Sequence, residues 1–147
     1  MRLRALQKTL ALRLMLWSIL SIAVGLLLQK TPAPFWRAFG QQTAGWGAID
    51  GAIALAGWRG GAQSPPAPAQ ELPELRKLRV LLWGNAGLDL LYIAAGLLLW
   101  RQAGPTRRGH GAAVVLQGLF LTLFDWTHAS ATAQLETQCK DLHDHKP

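Results

Sequence analysis

One cysteine in 147 residues, Cys139, leaves the chain without an internal disulfide. Quinone-linked thiol oxidation needs a cysteine pair, so that enzyme class is set aside and Cys139 reads as a reduced thiol in a tail. Other signatures are missing too. The sequence has no HExxH, no GxSxG and no Walker loop. Gly87-Leu88-Asp89 is not the GxGD of intramembrane aspartyl proteases. Two histidines at matching depth, as haem ligation would need, are not evident, and no cofactor is implied. An enzyme is the less favoured reading. Acidic residues are also scarce, 8 against 15 basic ones, for a net charge of +7. In a soluble protein that excess would suggest nucleic acid. Here the basic residues flank apolar blocks, where they orient helices and meet anionic headgroups. The partner they imply is a lipid bilayer, and nucleic acid is not expected.

What the sequence does have is hydrophobicity in long blocks, half of all residues in total. Each block approaches the roughly 20 residues, at about 1.5 Å each, that cross a bilayer core. A soluble helix of that length would show a polar face, and these mostly do not. Four spans follow, at about 10–28, 41–58, 80–100 and 111–127. The first, with LMLWSILSIAVGLLL at its core, follows Arg2, Arg4, Lys8 and Arg13. That is also the form of a signal peptide, but no small-x-small cleavage site follows, so it reads as a retained helix with Arg13 snorkelling to the interface. TPAPFWRAFG reads as a turn with Phe35 and Trp36 as interfacial anchors. The Gly- and Pro-rich stretch 59–72 reads as a linker, with Pro73 suited to a helix start. Residues 129–147 read as a polar tail, helical at first and then fraying. His143 and His145 in that tail are weighed as adventitious metal ligands against a plain tail, and the tail is favoured. The expected fold is all-α, one polytopic membrane domain with four transmembrane helices in an up-down bundle.

Orientation follows from the basic residues. With the N-terminus inside, Arg2, Arg4, Lys8, Arg13, Arg59, Arg76, Lys77, Arg79, Lys140 and Lys146 lie inside, and Lys30, Arg37, Arg101, Arg107 and Arg108 outside. Ten against five favours both termini in the cytoplasm, in a multi-pass protein of the inner (plasma) membrane.

The second span is rich in Gly and Ala. Gly47 and Gly51 form a GxxxG pair, which permits close helix contact. Together with Gly96 it suggests that spans two and three are close neighbours. These two spans also echo each other: GWGAIDGAIALAG at 45–57 aligns without gaps to GNAGLDLLYIAAG at 84–96. Either this marks an inverted repeat of the kind transporters use, or it is coincidence in a Gly/Ala/Leu-rich sequence.

The echo places Asp50 and Asp89 in matching positions near mid-span. A carboxylate at the bilayer centre costs roughly 2.5–3.5 kcal/mol on insertion scales, so it faces the interior and has a partner. No Lys or Arg lies at comparable depth. The two aspartates are expected to share a polar cluster with Tyr92 or Asn85, at least one of them carrying a proton near neutral pH. Helical spacing sets Asn85, Asp89, Tyr92 and Gly96 in one stripe and Thr43, Trp46, Asp50 and Gly57 in another. Trp46 and Tyr92 are candidate donors to a carboxylate. In the fourth span Gln117 is central, and Asp125 and His128, three apart, share a face. That spacing permits a carboxylate–imidazole relay or two ligands to one metal. The plain alternative for Trp46, Asn85, Gln117 and His128 is structural, with polar side chains joining helices.

GWGAIDGAIALAG, GNAGLDLLYIAAG and QGLFLTLFDWTHA together resemble a family of small, uncharacterised bacterial four-helix membrane proteins, over roughly residues 40 to 130. The resemblance implies that architecture and no activity. Three roles stay open: binding or passing a small solute or ion as a homo-oligomer, membrane catalysis through intramembrane Asp and His, or a structural or partner-binding module.

Overall fold

The structure is a computed structural model, and it describes residues 2–62 and 68–144, with side chains over 3–60 and 70–141. Four helices follow in order: α1 (Arg2–Leu28), α2 (Pro34–Ala62), α3 (Pro68–Trp100) and α4 (Pro105–Asp144). No strand occurs among the described residues. Prolines open α2, α3 and α4, where the missing N–H has no intrahelical partner to lose. The first connection is therefore shorter than TPAPFWRAFG, and Phe35 and Trp36 belong to the first turn of α2. Gly104, at φ 100°, takes the left-handed conformation that lets the chain reverse between α3 and α4.

The helices outrun their apolar blocks at one end of the bundle. Helix α3 starts at Pro68, inside the stretch that composition marks as a linker, with Pro73 inside the helix. Helix α4 continues through the polar segment after 127 and reaches Asp144. These extensions pack on one another. Leu3, Leu75 and Thr132 are fully buried, and the Leu3 N–H donates to Glu71 Oε1 at 3.3 Å. Glu136 is buried while Arg76 and Arg79 each approach it at 3.1 Å and Lys140 at 3.4 Å. A carboxylate among three cations is charge-compensated, and that holds the end of α4 onto α3. His145 and the side chain of His143 lie outside the described residues.

Two antiparallel hairpins, α1–α2 and α3–α4, form the tight pairs, and α4 also packs along α2. Glycines set both hairpin interfaces. A Cβ on Gly47 would lie 2.9 Å from Ser21 Cβ, and one on Gly111 would lie 2.5 Å from the Trp100 nitrogen. The GxxxG pair of α2 therefore faces α1, and Gly96 faces α4. The expected close contact between the second and third spans does not form: α2 and α3 stand apart, because each spends its small-residue face on its hairpin partner. The α2–α4 packing has no counterpart between α1 and α3.

Polarity is arranged inside out. Buried side chains include Ser18, Asp50, Asp89, Gln117, Asp125 and His128, and the buried apolar ones are mainly Ala and Leu. Large apolar side chains such as Leu27, Ile53, Leu91 and Leu123 point outward. Helices α1, α3 and α4 are long and apolar enough to cross a membrane, and α2, diluted by Gly and Gln, is not counted among them.

Candidate functional site

The gap between α2 and α3 is a cavity of about 540 Å³. Helix α2 contributes one wall from Trp46 to Gly60, and α3 the other from Leu78 to Tyr92. The N-terminal part of α1 (Gln7 to Leu14) and α4 (Leu121 to Asp125) close the remaining sides. Most of the lining is Leu, Ile and Ala. The polar exceptions include Asp50, Asn85, Asp89 and Asp125. Trp46 and Tyr92 pack edge to face, ring centroids 5.2 Å apart, at the far end of the lining. They do not donate to a carboxylate among the described residues, so their expected role as donors gives way to that of an aromatic roof.

The carboxyls are nearly inaccessible: Asp50 is 2%, Asp89 4% and Asp125 6% exposed. Asp50 accepts from Gln117 Nε2. Gln117 in turn accepts from Trp17 Nε1 at 3.1 Å. An indole N–H only donates, so the Gln117 oxygen faces Trp17 and its NH2 faces Asp50. This chain joins α1, α4 and α2. Asp89 of α3 and Asp125 of α4 stand beside one another across the two helices. Asp89 Oδ2 has no hydrogen-bond partner among the described residues.

His128 does not join this cluster. Its Nε2 faces Arg13 of α1 at 3.3 Å, and its Nδ1 faces the Phe124 carbonyl at 2.6 Å. A guanidinium only donates, so Nε2 accepts and Nδ1 carries the hydrogen, which it donates to Phe124. The expected Asp125–His128 relay is replaced by two separate bonds. Helical spacing put both residues on one face, but neighbouring helices drew each elsewhere. Arg13, which is exposed, links α1 to α4 through His128. Among the described residues, no group of three or more His, Cys, Asp or Glu side chains is arranged to hold a metal ion.

Of the sequence candidates, Trp46, Asp50, Asn85, Asp89, Tyr92 and Asp125 line one cavity, Gln117 backs it, and His128 lies outside it. Sequence reasoning passed over Trp17 and Glu136. Glu136 continues the buried stripe Asp125, His128, Thr132 at helical spacing, a signal that was available. Trp17 left no signal beyond an aromatic in an apolar run.

A family described only as a family of unknown function, DUF6992, matches residues 13–126. The chain belongs to DUF6992. The matched region spans all three cavity aspartates and Gln117 of this DUF6992 chain and stops short of His128 and Glu136. No curated protein and no solved structure matches it.

Proposed function

We propose that this DUF6992 chain is a bacterial integral protein of the inner membrane, with four spans and both termini cytoplasmic, and that its cavity binds a small solute. The observation that carries the binding role is a cavity of about 540 Å³ lined by three buried carboxyls. Its size falls within the range of small-molecule sites, and a few polar groups in an apolar wall are their usual composition. The apolar exterior supports the membrane reading, since such side chains find their partners in lipid. In that setting α2 owes its insertion to its neighbours rather than to its own hydropathy. Because the lining ends at Trp46 and Tyr92, passage of a solute across the membrane needs a second copy or an opening of that roof. A homo-oligomer therefore belongs to the transport form of this reading.

The test is thermal unfolding of the full chain in detergent with panels of amines, amino acids, sugars and monovalent salts. A binding solute raises Tm in the parent and not in Ala54→Trp, whose indole fills the cavity that Ala54 lines. A panel that moves neither protein, or both equally, sinks the proposal. The second reading is structural. It is favoured by the Trp17–Gln117–Asp50 chain, which ties three helices and needs no ligand. The membrane-enzyme alternative loses the Asp125–His128 pair and keeps Asp50 and Asp89.

A further inference from the structure

We infer that the cavity's ligand is a lipophilic monovalent cation, an amine or quaternary ammonium with an apolar body, entering sideways from the bilayer between α2 and α3. This rests on the solute-binding reading and names its substrate class. Charge comes first. Asp50, Asp89 and Asp125 line the cavity, and no Lys or Arg does. Arg13 of α1, next in sequence to the lining residue Leu14, is directed at His128. An anion would meet uncompensated repulsion in a site of low dielectric. Asp89 is 4% exposed, yet its Oδ2 has no partner among the described residues. A buried acceptor left this way is unfavourable, and a cationic N–H or N–CH3 group would relieve it.

Shape and polarity give the rest. The walls around the carboxyls are apolar, with Leu10, Leu14 and Leu82 among them. A hydrated metal ion or a sugar would find too few polar contacts there, and no metal-holding group exists among the described residues. Trp46 and Tyr92 put two aromatic rings into the lining, and a ring face attracts a cation. The lips of the gap, Ile49, Ile53, Leu81 and Leu88, are both cavity-lining and exposed. An apolar mouth of that kind admits a molecule already dissolved in lipid.

The test uses tetraphenylphosphonium and tetraphenylborate, ions of like shape and opposite charge, titrated into the full chain in detergent with empty micelles as the blank. The expected result is saturable binding of the phosphonium alone, near one per chain. Asp89→Asn should weaken the affinity tenfold or more with an unchanged circular dichroism melt. If that variant does not fold, Asp125→Asn takes its place. Equal binding of both ions, lost in Ala54→Trp, keeps the cavity reading and overturns the cation inference. Equal binding that Ala54→Trp leaves intact is partition into the micelle and overturns both. Binding of neither ion overturns the inference alone, since the solute panel still decides whether the cavity binds anything. An aminophospholipid headgroup carries the same ammonium chemistry as a free amine. Nanodiscs containing phosphatidylethanolamine compete with the phosphonium if the lipid is the occupant and leave its affinity unchanged if a free cation is.

Discussion

Gln117 can satisfy its two neighbours in one orientation only, because Trp17 has nothing to accept with and the Asp50 carboxylate nothing to donate. Asp50→Asn keeps an acceptor for the Gln117 amide and should leave the melting temperature in detergent near the parent's. Asp50→Leu leaves that amide buried without a partner and should destabilise by about 1–3 kcal/mol. Equal melts for the two variants would mean that the Gln117 bond contributes nothing. Trp17→Phe should lie between them, near the roughly 0.6 kcal/mol average of interhelical hydrogen bonds in membranes, plus the part of the Phe120 stacking it loses. The burial of Asp50 and Asp89 was legible in the sequence, since an acidic residue in a long apolar block has nowhere else to go. Their partners were not. Gln117 and Asp125 lie on another helix, and nothing in the local spacing of α2 or α3 points to α4. Arg13 shows the same limit, because a basic residue near the start of an apolar run reads alike whether it snorkels or bridges.

At the level of helices, glycine says that a neighbour is close without saying which neighbour. A Cβ at Gly111 would lie 2.5 Å from the Trp100 nitrogen and 2.6 Å from the Gly96 carbonyl oxygen. Backbone cannot turn aside, so Gly111→Leu has to part α3 from α4. It should destabilise by about 1–3 kcal/mol or more, the range for overpacked interiors. Gly51→Leu meets the Ser18 hydroxyl first, which can rotate at the loss of its bond to the Gly47 carbonyl, so its effect should be smaller. Gly84→Leu meets nothing within 4 Å and should melt like the parent. An order other than Gly111, Gly51, Gly84 in detergent melts would refute the assignment of the interfaces. The α3–α4 extension gives a second comparison. Glu136→Ala strips Arg76, Arg79 and Lys140 of their shared carboxylate and should cost about 1.5–3 kcal/mol, as charged hydrogen bonds do. Any one of those exposed cations changed to Ala leaves two behind and should cost less than about 1 kcal/mol. Hydropathy located the four helices but started α3 too late and ended α4 too early, since polar helix extensions that pack on one another carry no apolar block to read.

For the molecule as a whole, the two ends of the bundle differ in more than charge count. One end carries the N-terminus of α1, the start of α3 and the far end of α4, with Leu3, Leu75 and Glu136 packed inside it. It also holds Arg76, Arg79 and Lys140, half-exposed around one carboxylate. The other end carries only short connections. Basic residues near span ends resist translocation, so the end with ten of them should stay in the cytoplasm. Arg107 and Arg108 pull the other way, which makes the bias a contest rather than a foregone result. Single cysteines in a Cys139→Ser background decide it. Thr106→Cys, at the start of α4, should react with a membrane-impermeant maleimide added outside intact cells. Ser64→Cys, in the connection from α2 to α3, should react only after the cells are opened. The reverse pattern would put the Glu136 cluster outside and turn the cavity's Gln7–Gly60 end away from the cytoplasm. Arg107→Ala combined with Arg108→Ala removes the opposing pull. It should leave the pattern unchanged if the ten-residue end governs, and its effect separates that end's influence from that of the α3–α4 turn.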